Sequence, residues 1–195
     1  MREGRESPSI GFSRRLTNGE SNPFTLVQWE KRDVTITNWQ DDSIVFEQRD
    51  VEFPTDWSIN ASNIVTQKYF WGALGTEQRE KSLKDLLNRV VKQITNWGDE
   101  GGYFASNDER GVFADELMSL LLLQKASFNS PVWFNIGVPD IPQQSSACFI
   151  LSVDDTIDSI LNWYVEEGKI FKGGSGSGAN LSRIRASSEE VSGGG

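Results

Sequence analysis

Apolar and polar residues change their rhythm several times along this chain, and each change marks an expected element. From Lys31 to Phe53 the apolar positions alternate, Val34 and Ile36 and then Ile44 and Phe46, with Asp41 and Asp42 between them. That two-residue period predicts a β-hairpin with one buried face. Val51 and Phe53 carry the extended pattern up to Pro54. After Thr55 and Asp56 the recurrence lengthens to three and four residues through Trp57, Ala61, Ile64, Val65, Lys68 and Tyr69, so a helix is expected from about Asp56. Thr76 is placed to cap a second helix whose stripe is Leu83, Leu86, Leu87, Val90, Ile94 and Trp97, with Gly98 as its left-handed stop. Phe113, Leu117, Leu120 and Leu121 mark a third helix, ending before Phe128. These stripes read as core rather than as binding faces.

The pattern changes character after Asn129. Pro131, Pro139 and Pro142 are expected to break any helix and set extended or turn geometry, and Ser146 to Val153 then form an apolar run of strand length. Asp155 is the expected cap of a helix running through Phe171, followed by a glycine-rich turn and a second short strand from Ala179 to Ile184. Strand, helix, glycine loop, strand is an α/β unit. The chain therefore divides into a leader (residues 1–28), a hairpin plus helical domain (29–128) and an α/β part (129–195). The leader is rich in Ser, Gly, Arg and Glu without periodicity and is expected to be flexible.

Composition narrows the chemistry. Seven tryptophans and a 37% hydrophobic fraction are incompatible with disorder throughout. A net charge of −9 argues against a surface that neutralises a nucleic-acid backbone, although backbone N–H groups can still hold a small phosphorylated ligand. With no histidine and a single cysteine, the usual zinc sites, His-dependent triads and an internal disulfide are excluded, and no metal ligands are assigned. No apolar run approaches the roughly 20 residues of a membrane span and no signal-peptide core follows Met1, so no membrane partner is expected and a reducing cytoplasm is the expected location.

Chemistry then rests on few residues. The run Lys172 to Gly178 is either a flexible Gly-Ser tether or a loop whose bare backbone approaches a nucleotide; it lacks the Gly-Lys-Ser/Thr ending of a P-loop. Cys148, near a strand start and next to Gln143, Gln144, Ser145 and Ser146, is either a small buried hydrophobe or a thiol facing a cleft. If it forms a disulfide in redox work, its partner thiol comes from another segment or chain. Asp154 and Asp155 suit helix capping or a sugar hydroxyl, and Arg183 and Arg185 suit phosphate or a solvated strand face.

Taken in order, Asn129-Ser130-Pro131, Gln144-Ser145-Ser146-Ala147-Cys148-Phe149, Asp155-Thr156-Ile157-Asp158-Ser159-Ile160, Ile170 to Gly178 and Ser182-Arg183-Ile184-Arg185 resemble the large chain of ribonucleotide reductase. Ala147 before the cysteine and the Phe-Lys-Gly-Gly-Ser-Gly-Ser-Gly loop resemble the adenosylcobalamin-dependent class more than the di-iron class. Val51-Glu52-Phe53-Pro54 and Lys68-Tyr69-Phe70 are similar to that class too, so the resemblance runs from about residue 30 to 195.

The resemblance implies a mainly helical N-terminal domain with a small β-hairpin, followed by the first strand-helix-loop-strand elements of a ten-stranded α/β barrel, incomplete here. It implies the activity of a ribonucleoside-diphosphate reductase: radical reduction of ribonucleotides to deoxyribonucleotides, with a redox cysteine pair and adenosylcobalamin in the complete enzyme. Cys148 matches one reducing cysteine; Ser130, Ala147, Cys148 and Gly176 match the substrate site; Asp155, Thr156, Ile157 and Arg185 match the site of a deoxynucleoside triphosphate effector. The helix from Asp155 to Phe171 is similar to part of the family's dimer contact, so a homodimer is expected, with a thioredoxin-type or other dithiol as reductant. The family's radical cysteine and the partner of Cys148 have no match in this sequence, so the chain is expected to be an inactive portion needing the remainder of a reductase. The end at Gly193-Gly194-Gly195 suggests truncation, a split gene or an interrupted reading frame. An autonomous nucleotide-binding or dimerisation module is the alternative.

Overall fold

The computed structural model describes residues 10–189. A 3₁₀ turn at Pro23–Leu26 precedes strands β1 (Trp29–Thr37) and β2 (Ile44–Pro54), then helices α1 (Ile59–Lys68), α2 (Leu83–Glu100), α3 (Asn107–Leu122) and α4 (Ser130–Asn135). Strand β3 (Cys148–Ser152), helix α5 (Ile157–Lys172) and strand β4 (Gly176–Asn180) complete a mixed α/β chain. β1 and β2 form the expected antiparallel hairpin, with Asp42 at φ 56° in its turn. β3 and β4 pair in parallel, as two strands joined through a crossover helix do.

The core lies where the hairpin meets α2 and α3. Val34, Val51 and Phe53 pack with Leu83, Leu86, Leu87, Met118, Leu121 and Leu122, and Phe53 stacks on Phe70 with ring centroids 5.7 Å apart. Each such side chain contributes about 1.5–3 kcal/mol when fully buried, which makes this cluster the main source of stability. Arg79 is enclosed beside it, where burial lowers its guanidinium pKa. The charge is tolerated because its N–H groups donate to Gln48 Oε1 and to the carbonyls of Thr66, Phe70 and Gly72.

Several expected boundaries move, each for a local reason. Ser82, not Thr76, caps α2: its hydroxyl accepts from the first turn while Asp85 accepts from the Ser82 N–H, a reciprocal pair that fixes the start at Leu83. Thr76 lies in the preceding turn and donates to Ala73 O. Gly98 stays inside α2, where a Cβ would strike the Phe104 ring, and the left-handed residue is Gly102 at φ 72°. α1 starts later than expected, behind Ser58, and buries Ser62 and Thr66 while Ile64 is exposed. Arg32 accounts for Ser62: its guanidinium donates to Ser62 Oγ and to Trp57 O. Pro131 opens α4 instead of preventing a helix, because the first turn has no use for its missing N–H.

The expected flexible leader is also revised over the described residues. Leu16 and Thr17 donate their backbone N–H groups to Glu116 on α3, Arg14 pairs with Asp115 at 2.8 Å, and Phe12 meets Phe113 edge to face. Residues 1–9 of that leader, and Gly193–Gly195, lie outside the described residues.

Candidate functional site

The parallel ladder sets Cys148 opposite Gly176 and Phe149 opposite Ser177. Gly176 donates its N–H to Ala147 O at 2.8 Å, so Ala147, Cys148 and Gly176 lie together at one end of the two-stranded sheet, with the thiol exposed. β4 starts at Gly176, earlier than the expected Ala179, because the second half of the glycine run is itself paired strand.

The first half of the run ends α5. Gly174 takes φ 81°, its N–H donates to Phe171 O, and the Ser175 N–H donates to Ile170 O. Those two bonds satisfy carbonyls that the helix leaves open, and only glycine takes this conformation without cost. Ser175 is buried, accepts from Gln144 Nε2 and donates to Ser146 O, which ties the turn to the approach to β3. Asn135 Nδ2 donates to Pro131 O at 2.8 Å and lies 3.2 Å from Gly173 O and 3.3 Å from Gln144 O.

Ser130 stands apart from this group, at the other end of α4. Its hydroxyl is 3.0 Å from Tyr69 Oη, and it lines a cleft of about 450 Å³ with Tyr69, Leu86, Phe128 and Trp133 that Cys148 does not line. The link between the two places runs through rings: Tyr69 stacks on Phe134 at 5.0 Å, and Phe134 lies beside Gly174.

A second group gathers at the start of α5. Thr156, rather than Asp155, is the cap, its Oγ1 accepting from the Ser159 N–H. Asp155 is thereby free to pair with Arg185 at 2.7 Å, and Asp154 pairs with Arg183 at 2.8 Å. Ile157 follows with its side chain exposed. Asp155, Thr156, Ile157 and Arg185 are thus neighbours, although separated in sequence. No residue of α5 is buried, and Ile157, Leu161, Tyr164 and Val165 stand exposed at helical spacing.

Sequence reasoning assigns no role to Asn135, Gln144 or Ser175. Gln144 and Ser175 fall inside the quoted motifs, but Asn135 ends a one-and-a-half-turn helix too short to show a period. Among the described residues, no group of three or more His, Cys, Asp or Glu is placed to hold a metal ion.

Comparison with known proteins bears on both halves. The family model described as class II vitamin B12-dependent ribonucleotide reductase matches residues 30–124, and the ribonucleotide reductase barrel-domain model matches residues 146–195. The chain belongs to the class II ribonucleotide reductase family. It is 62% identical over 174 residues to a vitamin B12-dependent ribonucleotide reductase of Streptomyces coelicolor, covering 89% of this chain and 18% of that protein. The corresponding Streptomyces avermitilis protein is 55% identical over 193 residues, 99% of this chain and 20% of its own length. A Rhodopirellula baltica relative is 38% identical over 201 residues, 89% of this chain and 19% of its own. The chain thus spans about a fifth of the length of the relatives it matches.

Proposed function

We propose that the chain is the N-terminal portion of an enzyme that reduces ribonucleotides to deoxyribonucleotides, with Cys148 as one of two reducing thiols. The observation that carries this is the bareness of the strand beside the thiol. Gly176 and Gly178 are not required by their own backbone: a Cβ at Gly176 would come no nearer than 3.8 Å to Ala147 O, and one at Gly178 would meet open space. Glycines that the fold does not need, next to an exposed thiol, suit the close approach of a ligand's sugar and phosphate.

In that reaction Cys148 and a second thiol from outside this chain are oxidised to a disulfide. Their two hydrogens and two electrons convert the ribose C2′–OH to C2′–H, with the oxygen leaving as water. A thioredoxin-type or other dithiol then reduces the disulfide. Ala147, Gly176 and Ser130 hold the substrate nucleotide, and the sheet β3–β4 with α5 is the beginning of a ten-stranded barrel that starts at about residue 129. Adenosylcobalamin supplies the radical chemistry of the whole enzyme. The residues that bind that cofactor are assigned to the remainder of the enzyme.

Asp155, Thr156, Ile157 and Arg185 form the effector site for a deoxynucleoside triphosphate, where Asp155 both pairs with Arg185 and is free to accept from a ribose hydroxyl. The exposed stripe on α5 packs against a second copy in a homodimer, an arrangement supported by four large apolar side chains at helical spacing. The working location is the cytoplasm.

Cys148→Ser in the complete reductase tests the central role. Nucleotide binding is expected to persist while multiple turnover with a dithiol reductant is lost; sustained turnover at the unmutated rate would refute it. Gly176→Ala gives an independent check, since stability within about 0.5 kcal/mol of the parent together with weakened substrate binding is expected.

A further inference from the structure

The part of the chain that carries Cys148 has little to hold it in place. α5 buries no residue, and among the described residues β3, α5 and β4 pack on one another rather than on α1, α2 or α3. α4, by contrast, is firmly seated. Val132 and Ile136 are buried against Val90, and Arg89 donates to the carbonyls of Trp133 and Ile136 while its Nε pairs with Glu80 at 2.7 Å. Asn135 stands at the end of this fixed helix and reaches into the glycine turn.

We propose that Asn135 is a positioning residue that sets the glycine turn and β4 relative to Cys148 by donating from α4 to Gln144 O and Gly173 O. One amide NH₂ has two hydrogens. The hydrogen directed to Pro131 O stays within the helix, and the other is shared between the approach to β3 and the end of α5. Gln144 continues the connection to Ser175, and Ser175 to Ser146 O, two residues before the cysteine. Gly173 permits this contact: its φ of −80° is open to any residue, but a Cβ there would collide with the end of the Gln144 side chain. The Cys148–Gly176 pairing is therefore referenced to the helical part through one forked amide and a buried serine. The catalytic consequence rests on the reading of Cys148 as a reductant; the geometric claim does not.

The test is hydrogen exchange and thiol labelling on the full chain. Asn135→Asp keeps the shape and removes the donor, placing a carboxylate against three carbonyl oxygens. Exchange in peptides covering 143–148 and 173–178 is expected to accelerate by about fivefold, the factor for one net hydrogen bond, while peptides from α2 and α3 keep their protection. The rate at which iodoacetamide alkylates Cys148 is expected to shift by at least a similar factor. Gly173→Ala approaches the relay from the other side and, by displacing Gln144, is expected to loosen the same peptides; it decides the matter if Asn135→Asp fails to fold. Unchanged exchange and labelling in the folded variants would overturn the proposal. Both readouts are independent of turnover, so a Cys148→Ser enzyme that still turned over would remove the reductant role and leave the positioning role standing.

Discussion

Gly173 and Gly174 are adjacent, and the fold needs each for a different reason. Gly174 is at φ 81°, and a Cβ there would meet Phe134 at an ordinary 3.5 Å, so its requirement is conformational. Gly173 has a φ open to any residue, and its requirement is space: a Cβ there would push the end of the Gln144 side chain off its bond to Ser175. Gly174→Ala is therefore expected to cost about 1 kcal/mol through the left-handed conformation, seen as faster exchange at Ser175 with little change in α2. Gly178→Ala, in open space, is expected to be near neutral in a thermal melt. A stability loss at Gly178 equal to that at Gly174 would contradict this division. The sequence shows only a glycine-serine run and leaves tether and structured loop open, because composition does not distinguish a glycine needed for φ from one needed for space. Cys148 was legible as lying near a strand start, but its exposure and its partner Gly176 depend on the parallel register, which no local pattern encodes.

Elements with long apolar periods were the ones the sequence made readable: the hairpin, the stripes of α2 and α3, and the crossover helix α5. Those organised by polar contacts were not. α1 turns Ser62 inward because Arg32 donates to its hydroxyl, and Arg79 caps the nearby Thr66 carbonyl; a hydrophobic count is blind to such partners. α4 is six residues long, and its place is set by Arg89 and Glu80 from distant segments. Glu80 accepts from Arg89 Nε and from the Trp71 N–H, both at 2.7 Å, with the two charged side chains only 7% and 9% exposed. Removing one member leaves the other buried without its counter-charge, which typically costs about 3–5 kcal/mol. Glu80→Ala is expected to destabilise the chain by that order in urea unfolding and to loosen α4. Paired replacement of Glu80 and Arg89 by apolar residues is expected to cost less than the sum of the two single replacements, and a double variant as damaged as that sum would argue against direct coupling.

Across the whole molecule, carboxylates fasten segments that lie far apart in sequence, which makes the assembly sensitive to acid. Burial acts to raise the Glu116 carboxyl, but hydrogen bonds from Thr17 and from the backbone around Leu16 outweigh it and hold the pKa below the usual carboxylate range. Glu52 behaves alike: burial opposes its charge, yet hydrogen bonds from Lys84 and Ser82 and the charges of Lys84 and Lys31 bring its pKa down. Glu116 secures the N-terminal segment to α3, and Glu52 joins β2 to the first turn of α2. Because both pKa values are lower in the folded chain, the unfolded chain takes up protons first as the solution is acidified. The stabilisation is complete above the ordinary glutamate value, about 4.3, and is lost as pH falls through the depressed folded values. Unfolding free energy measured in urea is thus expected to be insensitive to these two groups near neutral pH and to fall steeply below about pH 4. Glu116→Gln removes one of the titrating groups, so its curve is expected to start about 1 kcal/mol lower at neutral pH and to fall less steeply in acid. Limited proteolysis of that variant at neutral pH is expected to cut first within residues 10–20, where the parent chain is protected. If the two curves ran parallel down to acid, the fastening would have to come from Arg14–Asp115 and the Phe12 ring contacts rather than from the Glu116 carboxylate.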